Sequence, residues 1–288
     1  MIFRFSIGGL WYLWHNAPSM QQKAITLSIA DQQLRAIIIG VPVSDKPCIV
    51  MLHGALDCLE SWKDFPADIA KQTGLPVVAY ERFGHGGSGQ LSGIRNANYR
   101  HHEAEITLPS ILTALDLKQI ILVGHSDGGA MALLAAACLT DTILGVCAIT
   151  PPLVMDQAAR DGIRKAVHQY EHGSLAKKLN FYHGEATNSL FYSWANTWLS
   201  KEFDNWSCTT ELQKITCPVT LIFGQADDYG YKPSLDLLQT NLHSATEVVL
   251  LKDAGHLSHH CARDKTVKAI VTLCKPAGFS SGQAAQIS

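Results

Sequence analysis

The chain has 288 residues, 47% of them hydrophobic and 17% charged, with a formal net charge of −2. That is enough chain to bury a large core in one domain carrying an insertion, and the near-neutral balance excludes the basic footprint of a nucleic-acid-binding protein. Eight cysteines include no C-x-x-C pair, which argues against a zinc site; several lie in apolar runs, as reduced core residues do, which favours a cytoplasmic location.

Residues 1–14 carry a single charge, Arg4, in an otherwise apolar stretch. Gly8-Gly9 interrupts it, no A-x-A-like site follows, and it is too short to span a bilayer. The expectation is an N-terminal extension over 1–22, or translation from Met20, ahead of a cleaved signal, and no stable membrane insertion. Residues 23–29 and 33–40 predict an antiparallel hairpin turning at 30–32. Then 48–52, 76–80, 119–124, 142–149, 218–224 and 246–251 are short runs of Val, Ile and Leu without polar alternation, as in parallel strands buried on both faces. Helical patterns at 62–72, 99–115, 128–139, 233–242 and 262–273 alternate with them, so the fold class is α/β with helices on both faces of the sheet. The stretch 151–214 has no strand-like run and is rich in aromatics; it predicts a helical cap set between core segments 23–150 and 215–275. The Gly-, Ser-, Gln- and Ala-rich end, 276–288, predicts a disordered tail.

Gly124-His125-Ser126-Asp127-Gly128 is a G-x-S-x-G turn between a strand pattern and a helix pattern. That context makes Ser126 the candidate nucleophile, raised on a sharp turn at the sheet's carboxyl edge. A serine hydroxyl needs a base. Among thirteen histidines, His256 in Ala254-Gly255-His256 follows the last strand run and fits the order Ser, Asp, His. His259 and His260 read as pocket-rim or solvent-facing residues. The acid comes from the loop after 218–224; spacing from Gly224 favours Asp227, leaving Asp228 as a turn residue. The N–H groups of Asp127 and Ala55 are the expected oxyanion donors, with Leu56 as an alternative to Ala55, and His53 reads as structural. The glycine-rich loop 81–89 lacks the G-x-x-x-x-G-K-[ST] pattern of a phosphate loop and reads as structural.

His53-Gly54, Glu81-Arg82-Phe83-Gly84-His85-Gly86-Gly87-Ser88, Gly124-His125-Ser126-Asp127-Gly128-Gly129, Gly224-x-x-Asp227 and Gly255-His256 together resemble the α/β-hydrolase superfamily in order and spacing. Gly-His-Ser-Asp-Gly-Gly, the stretch 194–199 and Asp228-Tyr229-Gly230 look similar to its capped bacterial esterase-like branch. The resemblance implies an eight-stranded, mostly parallel sheet, an inserted cap, no cofactor and no metal, and it carries the same roles onto Ser126, Asp227 and His256. The family more often has Asp where Glu81 stands.

The expected activity is hydrolysis of carboxylic esters with small to medium apolar acyl groups through an acyl-enzyme. Leu56, His125, Trp194, Trp198, Tyr229 and Leu257 are the candidate substrate-binding residues, although at least half of the cap aromatics are expected to pack the cap onto the core. The partner is a small-molecule ester, and a homodimer is compatible with the sequence. The alternatives are cleavage of a carbon–carbon bond in a ring-fission dienoic acid, for which Arg160 and Arg164 of the cap are the available anchors, a thioesterase, and a non-catalytic ligand-binding protein on the same fold.

Overall fold

A computed structural model describes residues 20–91, 95–204 and 206–275; the tail expected at 276–288 and nearly all of the extension expected at 1–22 lie outside them. The first two strands, β1 (Gln22–Ile29) and β2 (Gln32–Ile39), form the antiparallel hairpin. Its turn is shorter than expected: Ala30 and Asp31 both have positive φ, 50° and 59°. This is the turn handedness that matches the right-handed twist of paired strands.

In chain order there follow β3 (Pro47–Leu52), α1 (Phe65–Thr73), β4 (Val77–Tyr80), α2 (Tyr99–His102), α3 (Leu108–Ala114), β5 (Gln119–His125), α4 (Asp127–Cys138) and β6 (Ile143–Ile149). Among the described residues between β6 and β7, the regular elements are all helical: α5 (Gln157–His172), α6 (Leu175–His183), α7 (Thr187–Leu199), α8 (Lys201–Asp204) and α9 (Thr209–Leu212). The chain closes with β7 (Val219–Gly224), α10 (Lys232–Asn241), β8 (Thr246–Leu251), α11 (Ser258–Cys261) and α12 (Arg263–Cys274).

Two expected helices are broken for local reasons, and the one expected at 262–273 is present as α12. Lys63, at φ 50°, separates the 3₁₀ turn Glu60–Trp62 from α1. A π turn, Glu103–Thr107, joins α2 to α3 just ahead of Pro109, which has no N–H for the helical ladder. Ala262 sits outside helical geometry between α11 and α12.

The eight strands form one sheet in the order β1-β2-β4-β3-β5-β6-β7-β8. β2 is antiparallel to both of its neighbours, β1 and β4, and every other pairing is parallel. Alternate residues feed opposite layers. Cys48, Val50, Leu52, Ile120 and Leu122 pack on one face; Ile49, Met51, Ile121 and Val123 pack on the other. Each fully buried aliphatic of this kind contributes about 1.5–3 kcal/mol. The apolar run at 246–251 is a correction: β8 is the sheet edge, and only Leu251 of it is buried. A third apolar cluster lies inside the inserted helices, where Phe191, Trp194, Trp198 and Phe203 are buried together.

Candidate active site

The site begins at a close backbone crossing. A Cβ on Gly124 would lie 2.2 Å from the Gly128 carbonyl oxygen, and one on Gly128 would lie 2.1 Å from that of Leu52. Both positions are therefore closed to any other residue, and the turn from β5 into α4 is as tight as backbone permits. Ser126 sits at its apex with φ 53° and ψ −120°, a strained conformation for a residue with a side chain. Its hydroxyl lies 2.8 Å from His256 Nε2, and His256 Nδ1 lies 2.7 Å from Asp227 Oδ2. Facing a carboxylate, Nδ1 carries the proton and donates it; Nε2 is left to accept the serine O–H.

Each partner has its own support. The Asp227 side chain is 2% exposed, and its other oxygen accepts from the Tyr229 N–H. The turn role expected of Asp228 thus falls to Asp227 itself, while the exposed Asp228 carboxylate pairs with Lys165. The Tyr229 ring packs 4.8 Å from the His256 ring. The His256 carbonyl accepts from Thr150 Oγ1 at 3.2 Å and from His125 Nε2 at 3.0 Å. Thr150, at φ 46° after β6, is absent from the sequence reading; a threonine at a strand end before Pro151-Pro152 was the only signal.

The loop after β3 is held by Asp57, which sequence reasoning also missed. Its Oδ2 accepts from the Gly54 N–H at 3.1 Å and from His125 Nδ1 at 3.2 Å. Burial pushes the Asp57 carboxyl up, but the hydrogen bond and charge of His125 outweigh it and hold the group well below the usual carboxylate range. An acid three residues past a loop glycine is the local signal for such a turn. The Ala55 N–H has no acceptor among the described residues. The Asp127 N–H opens α4 and has no carbonyl one turn back.

His53 is buried, accepts from the Arg82 N–H through Nε2 at 3.0 Å, and is pushed down to about 3 by burial and then by the Arg82 charge. His259 corrects the sequence reading. It is 2% exposed and lies behind the site, its ring 4.3 Å from His125 and 5.1 Å from Trp62. It is the second residue of α11. His260 is half-buried against the Ser61 carbonyl.

Ser126 and His256 open on a cavity of about 120 Å³. Leu56, His125, Trp194, Trp198, Tyr229 and Leu257 all line it, joined by Ala159 and Ile163 of α5. His125 lines it with both ring nitrogens already engaged, so it offers a substrate no free polar atom. No Arg or Lys lines this cavity among the described residues. Arg160 pairs with Asp204 and Arg164 with Asp161 instead.

The side chain of Asp127 points away from the cavity into a buried polar network. Its Oδ1 accepts from Arg100 Nε and Tyr99 O–H, both at 2.6 Å, and its Oδ2 from Arg82 Nη1 at 3.1 Å. Burial raises this carboxyl, and the Arg100, Arg82 and Arg95 charges together pull it well below its ordinary value. Glu81 is fully buried and accepts from the N–H groups of Leu59, Gly87 and Ser88, so the glycine-rich loop is a structural tie. Cys58 and Glu60 lie close to Glu81, but Arg35 pairs with both carboxylates. No helix of the described residues is long and apolar enough to cross a membrane.

Residues 49–269 match the sequence profile of the Alpha/beta hydrolase family. Among curated proteins, the chain is 34% identical over 97 residues to a proline iminopeptidase of Lactiplantibacillus plantarum, covering 34% of this chain and 33% of that protein. It is 31% identical over 125 residues to protein phosphatase methylesterase 1 of Mus musculus, covering 42% and 31% respectively. The matched segments span about a third of the length of these relatives. Among solved structures, MGS-M2, an alpha/beta hydrolase enzyme from a Medee basin deep-sea metagenome library, superimposes with a TM-score of 0.73 at 16% identity, over 91% of this chain and 100% of that one.

Proposed function

We propose that this chain, which belongs to the alpha/beta hydrolase family, is a serine esterase that cleaves carboxylic esters of small to medium apolar acyl groups through an acyl-enzyme. The observation that carries the reading is the series Ser126 Oγ, His256 Nε2, His256 Nδ1 and Asp227 Oδ2, with links of 2.8 and 2.7 Å, opening on an apolar cavity.

His256 takes the Ser126 proton at Nε2 as Oγ attacks the ester carbonyl. Asp227 stabilises the imidazolium that forms. The developing oxyanion is held by the N–H groups of Ala55 and Asp127, the latter at the positive end of α4. His256 then returns its proton to the leaving alcohol. In the second half it takes a proton from water, which attacks the acyl carbonyl and releases the acid, and Oγ regains its proton. Residues 151–214 act as a cap, with Trp194 and Trp198 over the acyl group. The proposal includes a cytoplasmic place of action, on the cysteine usage of the sequence.

Two neighbouring readings lack support. A carbon–carbon hydrolase of dienoic acids needs an anchor for the substrate carboxylate, and Arg160 and Arg164 are engaged elsewhere. An aminopeptidase, as the Lactiplantibacillus relative is named, needs a free carboxylate for the substrate amine; Asp57, the pocket carboxylate beside Ser126, is already matched by His125. A thioesterase differs only in its leaving group and follows the same steps.

The test is hydrolysis of a p-nitrophenyl ester series from acetate to laurate. Apolar acyl groups should outperform charged ones, and Ser126→Ala should lower turnover by roughly 10³-fold or more with the fold intact. Wild-type turnover in that variant would sink the assignment.

A further inference from the structure

A second cavity, of about 210 Å³, is bordered by Arg82 and Tyr99, both of which bond the Asp127 carboxylate. Arg82 and Arg95 line it, with Tyr99, Glu103, Asn96 and His102. Arg95 is 8% exposed, and its Nε and Nη1 have no hydrogen-bond partner among the described residues; Arg82 is 2% exposed, and its Nε likewise has none there. Two buried guanidinium groups that carry unpartnered nitrogens therefore line one cavity.

The charges around it do not balance. Asp127 is matched by Arg82 and Arg100. Among the described residues Arg95 has no carboxylate within 4.0 Å, and it rests over the Tyr99 ring at 4.8 Å. The remaining acid, Glu103, accepts from the Tyr80 hydroxyl at 2.7 Å, and burial pushes its carboxyl up, towards the neutral form. A buried, unpaired guanidinium is costly; neutralisation is closed to arginine, so an external anion is what would complete the site. The cavity holds far more than the ~10–15 Å³ a single water requires.

We propose that this cavity is a binding site for a small oxyanion, a carboxylate or a phosphate, held by Arg95 with Arg82 and separate from the catalytic pocket. Trp198 faces the catalytic pocket and Tyr99 faces this one, joined by the bond from Trp198 Nε1 to the Tyr99 oxygen at 2.9 Å. The site is thus one contact from Asp127, whose N–H is assigned to the oxyanion.

Calorimetric titration of the full chain with sodium acetate and with inorganic phosphate, at constant ionic strength with chloride as the reference, tests this. One anion per chain should bind, and Arg95→Met should weaken binding at least tenfold while Arg95→Lys keeps part of it. The tighter of the two anions identifies the headgroup. If neither binds beyond chloride, or if Arg95→Met binds as wild type does, the site does not exist. Should Arg95→Met fail to fold, crystals of the wild type soaked in selenate decide: an anomalous peak beside Arg95 upholds the site and its absence overturns it.

Discussion

Two His–Asp pairs flank Ser126, their imidazole rings 5.2 Å apart. In each, Nδ1 meets a carboxylate oxygen: His256 meets Asp227 at 2.7 Å and His125 meets Asp57 at 3.2 Å. The difference lies at the far nitrogen. His256 Nε2 faces a hydroxyl, which can donate, so the neutral ring is satisfied and keeps a lone pair for the serine proton. His125 Nε2 faces the carbonyl of His256, which can only accept. Both ring nitrogens of His125 thus face oxygen acceptors. In the proposed mechanism the first pair exchanges a proton, while the second holds the backbone of the first through the His256 carbonyl. A base is defined by what its free nitrogen faces, not by having an aspartate behind it.

The largest test of that contrast is Asp227→Asn. It should lower kcat of ester hydrolysis by about 10⁴-fold, because the amide favours the wrong tautomer of His256. A loss under tenfold would break the comparison at once.

Acid stability sharpens it through the buried neutral histidines. His259, against His125, is pushed down by burial and then by the His125 and His260 charges; His53, at about 3, and His85 are also pushed down, burial again being the main cause. Each binds its proton more readily unfolded, near the ordinary value of about 6.5, than folded. Their stabilising effect is therefore complete above that value and is lost as pH falls. Between about pH 6 and 4 stability should drop by roughly 1.4 kcal/mol per pH unit for each. Below that, Asp57 and Asp127 add to the loss as they protonate. Chemical denaturation across this range should show a shallower slope in His259→Phe; an unchanged slope would mean that His259 is already charged in the fold.

The smallest effect belongs to the second pair. Asp57→Asn should lower kcat by about tenfold or less, since it loosens the Ala55 loop and the His256 carbonyl without touching the proton path. A drop as large as that of Asp227→Asn would make the two pairs equivalent and the distinction wrong.

The sequence by itself determined the features that live within a few residues of chain. The strand–turn–helix at 120–139, the close approach needed at Gly124 and Gly128, and the blocks of apolar strands are short-range consequences of sterics and burial. They were enough to place Ser126, Asp227 and His256 in order along the chain and to predict an α/β sheet. What the tertiary structure alone decided are the contacts between segments far apart in sequence. Asp57 meets His125 across 68 positions and Thr150 meets His256 across 106. His259 reads as a rim residue until α11 turns it against Trp62, and the run at 246–251 reads as a buried strand until its neighbour on one side proves to be solvent. The bonds of the Asp127 side chain to Tyr99, Arg82 and Arg100 were not legible either. The reason is physical: hydrophobic periodicity fixes which face of an element is buried, but the order of strands in the sheet decides which polar groups meet inside it, and that order is a property of the whole chain.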